Sequence, residues 1–379
     1  MRFNVPSRTL YNYASAVSKV INPKNALSIL DSFLFSLEDD RLWIMGSDVE
    51  NALAACVEVF DTEGSGKFCL NATKLVDLLK VLPDQPITFE IDDNTLEVKI
   101  SYRGADFTMV AIDGSQFPEY RKEEDEGQEP MVFEYPSAQI VKGIDNTSFA
   151  VGTDDYHPQM MGILFDIAPD SITYVATDTR KMVRYSNFTA PTGVQAKCIM
   201  PIKPANILKN ILSKDEKAKV RVTLTSKSAT FQTENYVFNC RFIKGTYPDY
   251  NRVIPKQNPY QLRVDRNRFL NCVRRVGVFV DPGYGMEKFR ITNDHMDVKS
   301  SDTSLQREGF ETIECEYTGP DIVMGFSAPY LVEICNVLST QDIIVHLSDP
   351  SRPGVFCPTE NEAATDMLVL LMPMNVSEF

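Results

Sequence analysis

The residues of this chain that could do chemistry are few, and their spacing argues against most of it. Its three histidines, His157, His295 and His346, stand too far apart to share a metal ion. The stretch GSGKF at 64–68 resembles part of a phosphate-cradling loop. It lacks the G-x-x-x-x-G-K-S/T spacing, however, and has Phe68 after the lysine. No G-x-S-x-G nucleophile elbow occurs. Eight cysteines (56, 69, 198, 240, 272, 315, 335 and 357) are scattered without a C-x-x-C pair, most of them inside apolar stretches such as NCVRRVGV. That usage reads as small buried hydrophobes in a reducing compartment. Asp48, Asp178 and Asp302 each follow a Ser or Thr at the end of an apolar run. An acid repeated at the same turn is better explained as a turn cap than as a catalyst. The expectation is a protein that is not an enzyme and has no metal.

The chemistry left is electrostatic. The 379 residues are 43% hydrophobic and 24% charged with a net charge of −14, a globular composition whose average argues against an ordinary nucleic-acid binder. The average hides a segregation. Six segments with helical periodicity carry +3 (7–30), +2 (67–82), 0 (136–152), +4 (197–219), +3 (265–280) and −1 (327–341). These 111 residues therefore carry +11, and the other 268 carry −25. In the first segment Leu10, Ala14, Val17 and Ile21 form an apolar stripe, with Arg8, Asn12, Ser15 and Lys19 opposite. Lys203, Asn206, Asn210 and Ser213 make a similar polar stripe, as do Asn267, Asn271 and Arg274. Basic helices gathered on one surface would attract a polyanion through weak, sequence-independent, salt-sensitive contacts. An acidic scaffold that binds only proteins is the competing reading.

What must position those helices is a repeat. Phe117-Pro118-x-Tyr120 and Tyr247-Pro248-x-Tyr250 lie 130 residues apart, as do Asp48 and Asp178, and Phe3-x-Val5 and Phe133-x-Tyr135. A third copy opens at Leu262-x-Val264 and reaches its own turn at Ser301-Asp302. Each copy reads as an opening strand, a helix, strands closing on the Ser/Thr-Asp turn, a second helix, then further strands. PITFEIDDNTLEVKIS and KVRVTLTSKSATFQTENYVFNCRF alternate as half-buried antiparallel strands do. The expected domains are 1–128, 129–255 and 256–379, joined at the acidic run 121–130 and at VIPKQNPY, 253–260. Sheets so repeated expose edges that must be paired, and pairing them copy to copy, then chain to chain, closes a ring. The N-terminus lacks a signal-peptide layout, and no apolar run approaches the ~20 residues of a membrane span, so a cytoplasmic protein is expected.

Taken together and in order, the three-fold repeat, VATDTRK at 175–181, YPDYNRVIP at 247–255 and LMPM at 371–374 resemble the bacterial β sliding clamps, the processivity subunits of DNA polymerase III. The resemblance spans the whole chain. It implies an α+β fold of three similar clamp domains, with antiparallel sheets outside and helices inside a homodimeric ring. Such a ring encircles double-stranded DNA without regard to sequence. It also tethers polymerase, clamp-loader and repair-protein peptides, with no cofactor and no catalysis.

Carried over by motif, the partner-peptide pocket comprises Met160, Thr177, Thr179, Arg180, Lys181, Met182, Pro248, Arg252, Val253, Leu370, Leu371, Met372, Pro373 and Met374, flanked by Ser327 and Tyr330. Methionines and branched aliphatics suit a groove that accepts many apolar anchors. The candidate DNA-facing residues are Arg8, Lys19, Lys24, Lys74, Lys80, Lys142, Lys203, Lys209, Arg266, Arg268, Arg274 and Arg275. Phe107 and Met109 match one face of the ring joint, and Val278 with Phe279 the other. The chain departs from the family at Thr179-Arg180-Lys181, where Gly-His-Arg is usual. It departs again at Asn375, where a basic residue is common, and in running on through Ser377–Phe379.

Overall fold

The computed structural model describes residues 1–118, 129–213, 217–280, 285–302, 304–376 and 379. Tyr120, the acidic run 121–128 and Ser377 with Glu378 lie outside the described residues. Six α-helices are described: α1 (Ser7–Val17), α2 (Ala72–Val81), α3 (Ser137–Thr147), α4 (Ile202–Leu212), α5 (Arg266–Val276) and α6 (Ala328–Val337). Each copy has the expected order. Its opening strand (Arg2–Pro6, Met131–Pro136 or Tyr260–Asp265) runs directly into a helix, and two further strands then lead to the acidic turn.

Local signals account for the boundaries. Asn71 caps α2 by accepting from Lys74 N at 3.0 Å, and Asp265 caps α5 by accepting from Arg268 N at 2.7 Å. α1 is shorter than the periodicity of 7–30 suggests. It stops at Val17, so Lys19 and Lys24 lie past its end. Leu10, Ala14 and Val17 are its buried stripe, while Ile21 is only half-buried and outside the helix. The three repeated aspartates cap turns. Asp48 accepts from Asn51 N at 2.8 Å, Asp178 from Lys181 N at 2.8 Å, and Asp302 from Ser304 N at 3.0 Å. GSGKF enters the strand Gly66–Asn71 rather than cradling a helix N-terminus.

The chain divides into two compact units: Met1–Val141 with Lys203–Phe242, and Lys142–Ile202 with Ile243–Phe379. The division passes through the middle copy because sheets are continuous between copies. In the first unit a nine-stranded sheet runs Ile112–Asp113, Gly66–Asn71, Ser32–Glu38, Arg41–Ser47, Ala52–Glu58, Tyr236–Arg241, Ser228–Gln232, Lys219–Leu224, Met131–Pro136. Its first-copy and middle-copy strands join where Leu53 pairs with Phe238. A five-stranded sheet completes this unit and ends at the edge strand Ala105–Val110.

The second unit repeats the plan. Its nine-stranded sheet joins the middle and third copies where Lys181–Asn187 pairs with Thr365–Leu371, Lys181 facing Leu371. Its four-stranded sheet ends at the edge strand Arg307–Glu314. The openers of the three copies are core residues: Phe3, Phe133 and Leu262 are all buried, and Phe3 stacks on Phe89 with ring centroids 4.9 Å apart. Six of the eight cysteines are buried too, and burial pushes the thiols of Cys69, Cys240, Cys272 and Cys335 up to about 12, which keeps them protonated.

Candidate partner groove and DNA-facing residues

In the second unit the motif residues converge on one apolar cluster. Leu164, Val175, Met182, Ile199, Tyr247, Val355, Leu368 and Leu370 form its buried base, and Ile243, Tyr250, Ile254 and Cys357 pack against it. The segment after the strand Tyr236–Arg241 lies over these strands because its aromatic residues are anchored. Tyr247 is buried, and the Tyr250 hydroxyl donates to Asp166 Oδ2 at 2.9 Å, an oxygen that Lys197 also reaches at 2.8 Å. Burial, then the Asp166 carboxylate, push the Tyr250 hydroxyl up to about 12, so it remains a donor. Pro248, Arg252 and Val253 stand exposed above that base. Met182, Leu370 and Leu371 are buried, Met182 and Leu370 within that base.

One side of the groove is the turn from Thr177 to Lys181. The Thr177 hydroxyl donates to Lys181 O at 2.8 Å, and Asp178 Oδ1 accepts from Arg180 N at 3.0 Å. Thr179 sits at φ +76°, in the left-handed region that a β-branched residue rarely enters. The corresponding first-copy turn has Val49 at φ +78°. The C-terminal segment is strung beside this turn. Met372 N donates to Arg180 O and Met374 N to Gly325 O, both at 2.8 Å. Position 325 must be glycine for that approach, because a Cβ there would lie 2.6 Å from Val376 Cγ2 and 2.8 Å from Met374 O. Met372, 46% exposed, forms an apolar lip beside this turn, and Val253 is 55% exposed on the segment that follows Tyr250.

Ser327 precedes α6 and Tyr330 lies in its first turn. With Met160, Thr179, Arg180, Asp154 and His157, Tyr330 lines a recess of about 320 Å³ continuous with the Thr177–Lys181 turn. Lys181 departs from expectation. It is 5% exposed, and its amine lies 3.0 Å from both Asp178 Oδ2 and Glu333 Oε2 and 4.0 Å from the Tyr330 ring centroid. Asp154 and His157 were not singled out from the sequence; only packing brings them to the recess.

The basic candidates divide by environment. In the first unit Arg8, Lys19, Lys24, Lys74 and Lys80 are exposed. Lys203 is engaged, its amine donating to Val20 O at 2.8 Å and to Asp48 at 2.9 Å, and Lys209 is half-buried. In the second unit Lys142 pairs with Glu362 at 2.5 Å. Arg266 is structural. Its guanidinium donates to Thr340 O and Cys335 O, both at 3.0 Å, satisfying carbonyls at the end of α6. Arg268 pairs with Glu314 at 3.0 Å, Arg275 takes Glu311 with two nitrogens, and Arg274 reaches Asn336 at 3.4 Å. Exposed pairs of this kind are worth at most ~1 kcal/mol, so a phosphate can displace them.

At the joint candidates, Phe107 and Met109 are half-buried on the edge strand Ala105–Val110, Phe107 stacking on Tyr102 at 6.2 Å. Val278 is 72% and Phe279 38% exposed on the short 3-10 turn Gly277–Phe279. Phe279 packs over Gly309 of the edge strand Arg307–Glu314, where a Cβ would lie 2.8 Å from its ring. Phe310 of that strand, 56% exposed, was not picked out from the sequence although REGFETIE alternates.

Fold and groove together define a three-copy clamp of α+β domains. Three family models match in series: the DNA polymerase III beta subunit N-terminal domain at 1–121, central domain at 134–249 and C-terminal domain at 251–375. The chain belongs to the DNA polymerase III beta subunit family, the sliding clamps, which are processivity factors of DNA replication and not catalysts. A beta sliding clamp of Pseudomonas aeruginosa is 24% identical over 378 residues, 99% of this chain and 100% of its own. Two crystal structures of sliding clamps bound to griselimycin are similar over 99% of this chain and 100% of theirs. The one from Bartonella birtlesii is 25% identical and the one from P. aeruginosa 24%, each with a TM-score of 0.92. Among the described residues, no helix is long and apolar enough to cross a membrane.

Proposed function

We propose that two copies of this chain close a ring of six domains around duplex DNA in the cytoplasm, helices toward the DNA and sheets outward, and that the groove of the second unit takes the peptides of polymerase, clamp loader and repair proteins. The domains are taken as 1–128, 129–255 and 256–379. The recess lined by Met160, Thr179, Arg180 and Tyr330, with the Met372 segment hydrogen-bonded to its turn and a packed apolar base beside it, supports the groove assignment. Griselimycin, carried by two related clamps, is taken to enter the same groove and serves as a probe. Arg8, Lys19, Lys24, Lys74 and Lys80, with Arg268, Arg274 and Arg275, are the cations assigned to phosphate. The ring joint pairs the open edge Ala105–Val110 of one copy with Arg307–Glu314 of another, burying Phe107, Met109 and Phe310 beside Val278 and Phe279.

Loading the protein on circular duplex DNA tests the topological part. It should stay bound through a high-salt wash and be released when the circle is cut. Release that ignores the cut rules out encirclement.

A further inference from the structure

We propose that Lys181 is a positioning residue, not a ligand contact: its buried amine ties the Asp178 turn to Glu333 of α6 beneath the Tyr330 ring and so sets the width of the recess between them. The proposal rests on the groove being the partner site.

Three walls of that site come from distant parts of the chain: the turn 177–181, the C-terminal segment 371–374, and α6 with the strand before it. The backbone joins the first two through Met372 N to Arg180 O, and the second to the strand Ile322–Ser327 through Met374 N to Gly325 O. The Lys181 amine supplies a direct tie from the turn to α6. An ammonium has three donors and no acceptor. Asp178 Oδ2 lies within 3.0 Å of it, in hydrogen-bond geometry, and Glu333 Oε2 also at 3.0 Å, as an ion pair. The Tyr330 ring covers it at 4.0 Å. With these partners and 5% exposure, the amine is turned to the wall and largely closed to a ligand. Arg180, next to it, is exposed and makes no ion pair among the described residues. The two neighbouring cations therefore divide the work, Arg180 facing the ligand and Lys181 holding the wall.

The charge balance explains why the amine is needed. Two carboxylates meet one cation, and without the cation Asp178 and Glu333 would repel across the seam that it now closes. Burial alone would lower the amine's pKa, but Glu333 and Asp178 outweigh burial and hold it above its ordinary value, so the tie stays charged. A wall held this way is organised before the ligand arrives, which reduces the ordering cost of binding.

The test is griselimycin affinity on the full-length protein for wild type, Lys181→Met, Glu333→Gln and the double variant. Lys181→Met should weaken binding by about tenfold or more, and adding Glu333→Gln should restore part of the loss by removing the repulsion. Were Lys181 a ligand contact, Glu333→Gln could recover nothing, and that result overturns the proposal. So does wild-type affinity in Lys181→Met. Should Lys181→Met fail to fold, Glu333→Gln alone decides: a few-fold weakening supports the tie, and unchanged or tighter binding refutes it. If wild type itself binds no griselimycin, or if Met372→Glu leaves binding intact, the groove assignment fails instead.

Discussion

The Glu287 carboxyl lies against Gly277: a Cβ added to Gly277 would stand 3.2 Å from Glu287 Oε1. Glu287 is fully buried, and neither carboxyl oxygen has a hydrogen-bond partner among the described residues. Gly277 opens the turn that carries Val278 and Phe279, so this buried acid lies against the turn proposed for the ring joint.

Burial pushes the Glu287 carboxyl up to about 8 from an ordinary 4.5. The folded chain prefers the protonated acid. The contribution to stability is therefore complete below pH 4.5, falls as pH rises, and is lost once the pH passes about 8. Glu287→Gln should gain on wild type steadily across that window, reaching a few kcal/mol above pH 8. Urea midpoints of both proteins from pH 5 to 9 measure it; parallel curves mean that Glu287 ionises freely in the folded chain.

Replacing Phe107 and Met109 with aspartate should give monomers of 42.7 kDa by light scattering where wild type gives twice that mass. The side chains are half-buried on an edge strand, so the first unit should keep its fold while the joint loses its apolar surface. Phe310→Asp on the opposite edge should have the same effect. Dimers that survive both changes place the joint elsewhere.

The repeat was legible because a 130-residue offset preserves openers, turns and periodicity together, each visible within a few residues. The aspartates were legible for the same reason: a turn cap is local, and Asp178 accepts from the backbone two and three residues on. The burial of Lys181 was not legible because it depends on Glu333, over 150 positions away, and no local pattern marks a buried lysine. The end of α1 at Val17 was missed because apolar spacing continues to Ile21 although the helix does not. Pairing of edges copy to copy was expected, but which strands pair, as where Leu53 meets Phe238, and with it a division through the middle copy, was not legible. Alternation says that a strand exists, but not which strand it adjoins.

The basic residues separate into two experiments. Alanine at Arg8, Lys74 and Lys80 together should lower affinity for a short duplex and make the salt dependence shallower, by about 0.9 in the log–log slope per lost phosphate contact. Arg266→Ala should leave that slope unchanged and lower the melting temperature, because its guanidinium holds Thr340 O and Cys335 O at the end of α6. If Arg266→Ala changes the slope and the triple variant does not, the assignment of phosphate contacts is reversed.

Truncation separates groove from sheet, and one residue decides which is lost. Leu371 still belongs to the strand Thr365–Leu371, pairing with Lys181 on one side and Gly354 on the other, and it is buried. Removing residues from Leu371 onward therefore takes away core as well as groove. It should lower the melting temperature through the lost side chain, by about 2–5 kcal/mol of stability. Removing residues from Met372 onward takes the half-exposed lip, the segment anchored on Gly325 and the Phe379 ring that Arg290 covers, and leaves the strand whole. That shorter truncation should abolish binding of polymerase-derived peptides and griselimycin while dimer mass and melting temperature stay close to wild type. Peptide binding that survives it shows that the lip is not the site of partner capture.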